Sequence, residues 1–329
     1  MRAARAAGLL LTALPLIAGG AGEAPAASLN ALAADGLYTW RVAAVDDAPP
    51  WCCASWNRGT PRARACDLDS RHANYSRSNG VLSPPGEMQI YARIEAGTVD
   101  RIRVLSPQCA VISTQDISDL GEPGVDESLA WLAAHVTTQA AGSGDALAAI
   151  AVHRGSAALD TLVGFAAPGH TTYVRKDAIF WMSQTRIAET AGALKRLMLR
   201  DASADIRQHA AFALSQSTAP ERAAALVLQG RDDADREVRA QAWFWLAQSG
   251  DPQSEAAIRR AIADDVEVRE DAVFALAQLP GERAVDALFA VLADLSLPSE
   301  VRKQALFWLV QSDSKRAYAY IDRLLADGQ

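Results

Sequence analysis

The alternation of apolar and polar positions divides the chain into two unlike parts. From about residue 146 onward apolar residues recur at helical spacing, broken by short clusters of Gly, Pro, Ser and Asp. One eleven-residue pattern stands out there in five copies: VRKDAIFWMSQ (174–184), IRQHAAFALSQ (206–216), VRAQAWFWLAQ (238–248), VREDAVFALAQ (268–278) and VRKQALFWLVQ (301–311). Their starts lie 32, 32, 30 and 33 residues apart. A period of this size predicts a solenoid, in which each unit buries its apolar face against its neighbours.

Four positions of the pattern are identical throughout: Arg at the second (Arg175, Arg207, Arg239, Arg269, Arg302), Ala at the fifth, Phe at the seventh (Phe180, Phe212, Phe244, Phe274, Phe307) and Gln at the eleventh. On a helix, positions 1, 5, 8 and 9 share one face. The invariant Ala marks the closest approach of a neighbouring helix. The eighth position reads Trp181, Ala213, Trp245, Ala275, Trp308, large beside small as interdigitating layers require. Arg and Phe sit on opposite shoulders of that face, so both are expected to be structural seam residues. The phenylalanines should stack from repeat to repeat, and a ligand box need not recur in every repeat. The aromatics are therefore read as core.

Each copy is followed by a break and a second amphipathic run, such as AGALKRLMLRD or ERAVDALFAVLAD, so the unit is helix, turn, helix. Residues 146–167 fit a sixth, degenerate pair. Acidic segments such as RDASAD and RDDADRE precede the copies. They can cap the first helix and pair with the invariant Arg of the same or the next unit. The expected domains are 28–139, a small α+β module, and 140–329, a right-handed α-solenoid.

The module shows strand-like alternation at LYTWRVAAV (37–45) and at EMQIYARIEAGTVDRIRVLS (87–106), with a hairpin turn at Gly97. DESLAWLAAHV (126–136) reads as a helix, and 137–145 as the linker into the array. All four cysteines lie here: Cys52, Cys53, Cys66 and Cys109. Adjacent cysteines seldom bond to each other, so one of Cys52 and Cys53 is expected to reach Cys66 and the other Cys109. A zinc site of Cys52, Cys53, Cys66 and His72 is the alternative; adjacent cysteines and the lack of C-x-x-C spacing count against it.

Residues 1–27 have the form of a signal peptide: Arg2 and Arg5, the apolar GLLLTALPLIA, then APA before the expected mature start. The protein is therefore expected to be exported, to the periplasm or beyond, with no integral membrane segment after signal removal. Without those residues, 30 basic and 38 acidic side chains remain, a balance unsuited to nucleic acid. A local exception is 51–80, with five arginines against Asp67 and Asp69, read as a solvated loop. Phosphate-binding glycine motifs, a G-x-S-x-G elbow and a complete calcium loop are all missing from the sequence. No cofactor is expected.

The repeat, with its acidic lead, V-R-x-x-A and period near 31 residues, resembles the HEAT repeat in its short bacterial form, as in HEAT-like phycobilin lyases. The resemblance covers 146–329 and implies a scaffold that binds a protein or peptide. Deoxyhypusine hydroxylase is an enzyme of similar fold, but such a site needs His-Glu pairs, and none of His72, His135, His153, His170 and His209 precedes a glutamate. Together with WCCASW, LSPQC and ESLAWL, the whole chain resembles exported bacterial HEAT-repeat proteins with a small cysteine-containing module. The expected function is non-enzymatic: a scaffold holding its partner on a concave surface of second helices, with Lys195, Arg196, Arg259, Arg260, Asp286 and Arg323 as contacts. The alternative is an enzyme at the junction of module and array, near His135, His153 and His170.

Overall fold

The computed structural model describes residues 28–29, 32–46, 48, 50–57, 60–70, 75–77, 86–136 and 143–327. The segment 1–27, the stretch 137–142 and His72 lie outside them. Among the described residues the module holds nine short strands: β1 (Gly36–Ala43), β2 (Trp51–Asn57), β3 (Thr60–Ala63), β4 (Cys66–Asp67), β5 (Tyr75–Arg77), β6 (Glu87–Glu95), β7 (Thr98–Leu105), β8 (Val111–Ile112) and β9 (Ile117–Asp119), followed by helix α1 (Val125–Ala134). Its main sheet has the order β7-β6-β1-β9, antiparallel except for β1 with β9. The predicted hairpin is β6–β7. Ala96 and Gly97 both take positive φ, as the tightest hairpin turns demand.

The alternation along β6 places Met88, Ile90, Ala92 and Ile94 on one fully buried face. Trp40 of β1 lies under α1, edge-on to Trp131 at 5.3 Å, and its indole N–H donates to Ser128 at 2.9 Å. Residues 51–57, expected as part of a solvated loop, are instead strand β2, paired with β3 and β5. Arg62, on β3, and Arg64 are exposed.

Successive residues of a strand point to opposite faces, and this resolves the adjacent cysteines. Cys53 turns inward to Cys66, joining Leu37, Leu68 and Leu105 in a small second core; Cys52 bonds Cys109, which packs against the edge of that core.

The array begins with α2 (Ser143–Val152) and α3 (Ser156–Ala166), the degenerate pair. Five regular pairs follow: α4 (Thr172–Thr185) with α5 (Ile187–Arg200), α6 (Ala204–Ser215) with α7 (Arg222–Asp232), α8 (Arg236–Gln248) with α9 (Ser254–Asp264), α10 (Arg269–Ala277) with α11 (Glu282–Ala293), and α12 (Ser299–Gln311) with α13 (Lys315–Asp327). The invariant alanines 178, 210, 242, 272 and 305 are all completely buried. Module and array share one hydrophobic core. The main chain joins them as well: Val45 N–H donates to Val152 and Arg154 N–H to Ala43.

First helices α4, α6, α8, α10 and α12 pack closely on one another along the whole array, whereas the second helices of successive units barely touch. The alanines allow this close approach. A stack bends toward its more closely spaced row, so the first helices form the inner, concave row. This corrects the expectation that the second helices line the concave face.

Candidate functional site

The inner row is held by a ladder of buried charge. Arg175 pairs with Asp201, Arg207 with Asp233 through two hydrogen bonds of 2.8 Å, and Arg239 with Asp265 at 2.9 Å. Each aspartate is 26 residues downstream of its arginine, at the end of the second helix of the same unit. The same carboxylates accept the N–H two residues on, from Ser203, Asp235 and Glu267. One aspartate thus fixes both the first helix of its own unit and the turn into the next. The bonds to Asp233 raise the Arg207 pKa, so that guanidinium stays charged.

The ladder stops after the third copy. Arg269 donates to the carbonyls of Ile262 and Ala263 instead, and Arg302 buries its Nε with no partner among the described residues.

The invariant phenylalanines occupy a different place from the one expected. Trp243 is core, 3% exposed, but Phe244 and Trp245 are only half-buried on the inner face. Phe180 is 36% and Phe307 53% exposed. An aromatic strip does run from repeat to repeat. Phe212 meets Trp245 at 4.9 Å, Trp245 meets Phe244, Phe244 stacks on Phe274 at 5.8 Å, Phe274 meets Trp308 at 4.8 Å, and Trp308 meets Phe307. The rule is that Phe of one repeat packs on the eighth-position Trp of the next. For Trp181 that neighbour is Trp51 of the module, at 5.4 Å. No periodicity could announce this contact, because Trp51 belongs to no repeat.

The invariant glutamines lie along the same face near the helix ends, and Gln216, Gln248 and Gln311 are exposed. Their partners vary. Gln184 and Gln216 donate to the preceding serine at 3.3 and 3.1 Å, while Gln248 donates to Gln278 at 3.4 Å. None of these bonds recurs in all five copies, although the residue does. Between α8 and α10 the strip opens into a groove of about 320 Å³, floored by Phe244, Trp245 and Phe274 and edged by Glu237, Gln241 and Asp271. Burial raises the pKa of Asp271.

Lys195 and Arg196 lie on α5, Arg259 and Arg260 on α9, Asp286 on α11 and Arg323 on α13. These helices form the outer row, so the six residues do not converge on the concave face. Asp286 is taken up by Arg316 at 2.7 Å, and Arg259 and Arg260 edge a separate hollow of about 390 Å³ with Asp294 and Leu297.

At the junction of module and array lies a cleft of about 720 Å³, lined by Asp46, Arg154, Arg186, Glu189, Gln184 and Gln216 among others. The guanidinium of buried Arg186 spans it from below, donating to the carbonyls of His153 and Gly155 and to Glu189. The three junction histidines do not line this cleft. His153 is buried, its Nδ1 bonded to the Ala149 carbonyl at 2.7 Å and its Nε2 to Ser128 at 2.9 Å. Burial holds its pKa down at about 4, so the ring is neutral. His135 stacks on Trp131 and bonds its carbonyl; His170 lies against Phe165 at the surface. No cluster of three or more His, Cys, Asp or Glu that could hold a metal occurs among the described residues.

Residues 224–310 match a family described as HEAT repeats. The array is accordingly a HEAT-repeat solenoid, preceded by a disulfide-bonded strand module. Comparison with curated proteins finds no match. Among solved structures, human deoxyhypusine hydroxylase in complex with glycerol is similar at 16% identity and a TM-score of 0.32, over 57% of this chain and 76% of that one. A likeness of that size carries nothing about chemistry.

Proposed function

We propose that this is a non-enzymatic protein-docking scaffold that works outside the cytoplasm, in the bacterial cell envelope, and that the inner helix row holds a segment of its partner. The observation that carries this reading is the aromatic and glutamine strip. Packing explains why Ala recurs at the fifth position, because every copy is buried. It does not require Phe where Phe180 is 36% and Phe307 53% exposed, nor Gln where the hydrogen-bond partners differ from copy to copy. A repeated surface that the fold does not require is a surface for something else. The two disulfides suit an oxidising compartment, as does the signal-like segment at 1–27. No helix among the described residues is long and apolar enough to cross a membrane.

The test is in-cell cross-linking of the tagged protein, followed by purification of wild type and of a Phe244→Ser, Gln248→Ala double variant. The scaffold reading expects one stoichiometric protein partner with the wild type and its loss from the variant. A partner retained equally by both would contradict it.

The junction cleft favours a second reading, a small-molecule site of an enzyme. Mass spectrometry of the purified wild-type protein separates the two. A stoichiometric small molecule, displaced by an Arg154→Ala substitution, would favour the cleft.

A further inference from the structure

We infer that the groove between α8 and α10 is a subsite for a lysine or arginine side chain on an extended segment of the docked protein, an inference that rests on the docking reading above. Three observations converge there. The floor is aromatic: Phe244 and Phe274 lie nearly parallel, 16° apart, with Trp245 beside them. The faces of such rings attract cations.

The rim is acidic. Glu237 from α8 and Asp271 from α10 approach from opposite sides. Arg236 shows that both carboxylates can converge on one guanidinium, which it offers to each at 2.5 Å while remaining 43% exposed. Two carboxylates against this one cation leave the rim net negative. The chain as a whole carries a formal charge of −7, so a basic partner is drawn toward the protein from a distance.

The third observation is the pair Gln248 and Gln278 at the end of the same two helices, joined by a long bond of 3.4 Å. A primary amide carries both a donor and an acceptor, the complement of a peptide group. Packed helices stand roughly 8–10 Å apart, about the length of three extended residues at ~3.3 Å each. A strand laid across the inner row therefore meets one glutamine per three residues. Because its side chains alternate faces, one that points inward enters every second groove between helices.

The experiment uses the full mature chain and three labelled nonapeptides of glycine and serine with a central arginine, citrulline or glutamate. Binding is read by fluorescence anisotropy and by the shift of the Trp245 indole N–H resonance. The inference expects the arginine peptide to bind at least ~10-fold more tightly than the citrulline peptide, since a desolvated cation on an aromatic face is favoured by that factor or more. A Glu237→Gln, Asp271→Asn variant should erase the difference without lowering the thermal midpoint. Equal affinities, a preference that survives in the variant, or no saturable binding of the arginine peptide at millimolar concentration would each overturn it. If the peptides bind alike and all are lost on Gln248→Ala, docking on the inner row stands and the basic subsite falls.

Discussion

Arg207 on α6 grips Asp233 at the end of α7 with two hydrogen bonds of 2.8 Å, 26 residues along the chain. Arg175 and Asp201 repeat the relationship one unit earlier, with both side chains more than nine-tenths buried. Removing one partner of such a pair leaves the other charge buried and unanswered, which costs far more than the pair's net worth. Asp201→Ala should lower stability by about 3 kcal/mol, read from denaturant unfolding. Removing Asp232, whose partner Arg231 is its exposed neighbour, should change stability little, because solvent screens an exposed pair. Similar losses at the two sites would show that the ladder does not hold the helices of a unit together.

This ladder was half legible in the sequence. The recurrent acidic segments and the invariant Arg announce a pairing, but the choice between same and next unit depends on how helices stack. The five first helices and the β6–β7 hairpin follow from periodicity and turn residues, because both are local. What periodicity could not decide was which helix row is inner. That turns on the relative spacing of two rows, set by the buried alanines acting over the whole array. For the same reason Phe180 and Phe307 look like core on a helical wheel and stand open on the surface. Trp51 against Trp181 was beyond reach, since 130 residues and a change of architecture separate them.

Gly230 of α7 has no room for a methyl group. A Cβ there would lie 2.6 Å from the ring of Trp243, which is itself buried in α8. Alanine normally improves a helix interior by up to about 1 kcal/mol. Here Gly230→Ala should instead destabilise by about 1–3 kcal/mol, and adding Trp243→Leu should recover part of the loss. Thermal unfolding of both variants checks this; a stabilised Gly230→Ala would mean that the two helices separate freely.

The two disulfides should differ in worth. Cys52–Cys109 closes a separation of 57 residues and Cys53–Cys66 one of 13. Chain entropy makes the longer closure more stabilising by about 1 kcal/mol. Replacing Cys52 and Cys109 together by Ser should therefore lower the unfolding free energy more than replacing Cys53 and Cys66. It should also change the fluorescence of Trp181, because Trp51, next to Cys52, packs on it. An unchanged emission would show that the bridge does not position Trp51.

His153 makes the fold sensitive to mild acid. Its pKa falls from the usual 6.5 to about 4 because burial, first of all, and Arg186 oppose a charged ring. The unfolded chain therefore takes up the proton first. The stabilisation is complete above pH 6.5 and is lost progressively down to pH 4, in total about 3 kcal/mol. His153→Gln should flatten the stability profile between those limits. A wild-type profile already flat there would place the histidine elsewhere than inside.

The central claim is that partners meet the inner helix row, and site-specific photo-cross-linking in the native cell tests it most directly. A photoreactive residue would replace Gln248 on the inner row in one variant and Arg260 on the outer row in another. The account predicts one discrete protein adduct from position 248, abolished by Phe244→Ser, and none from position 260. An adduct from position 260 alone would put the working surface on the outer row and contradict it.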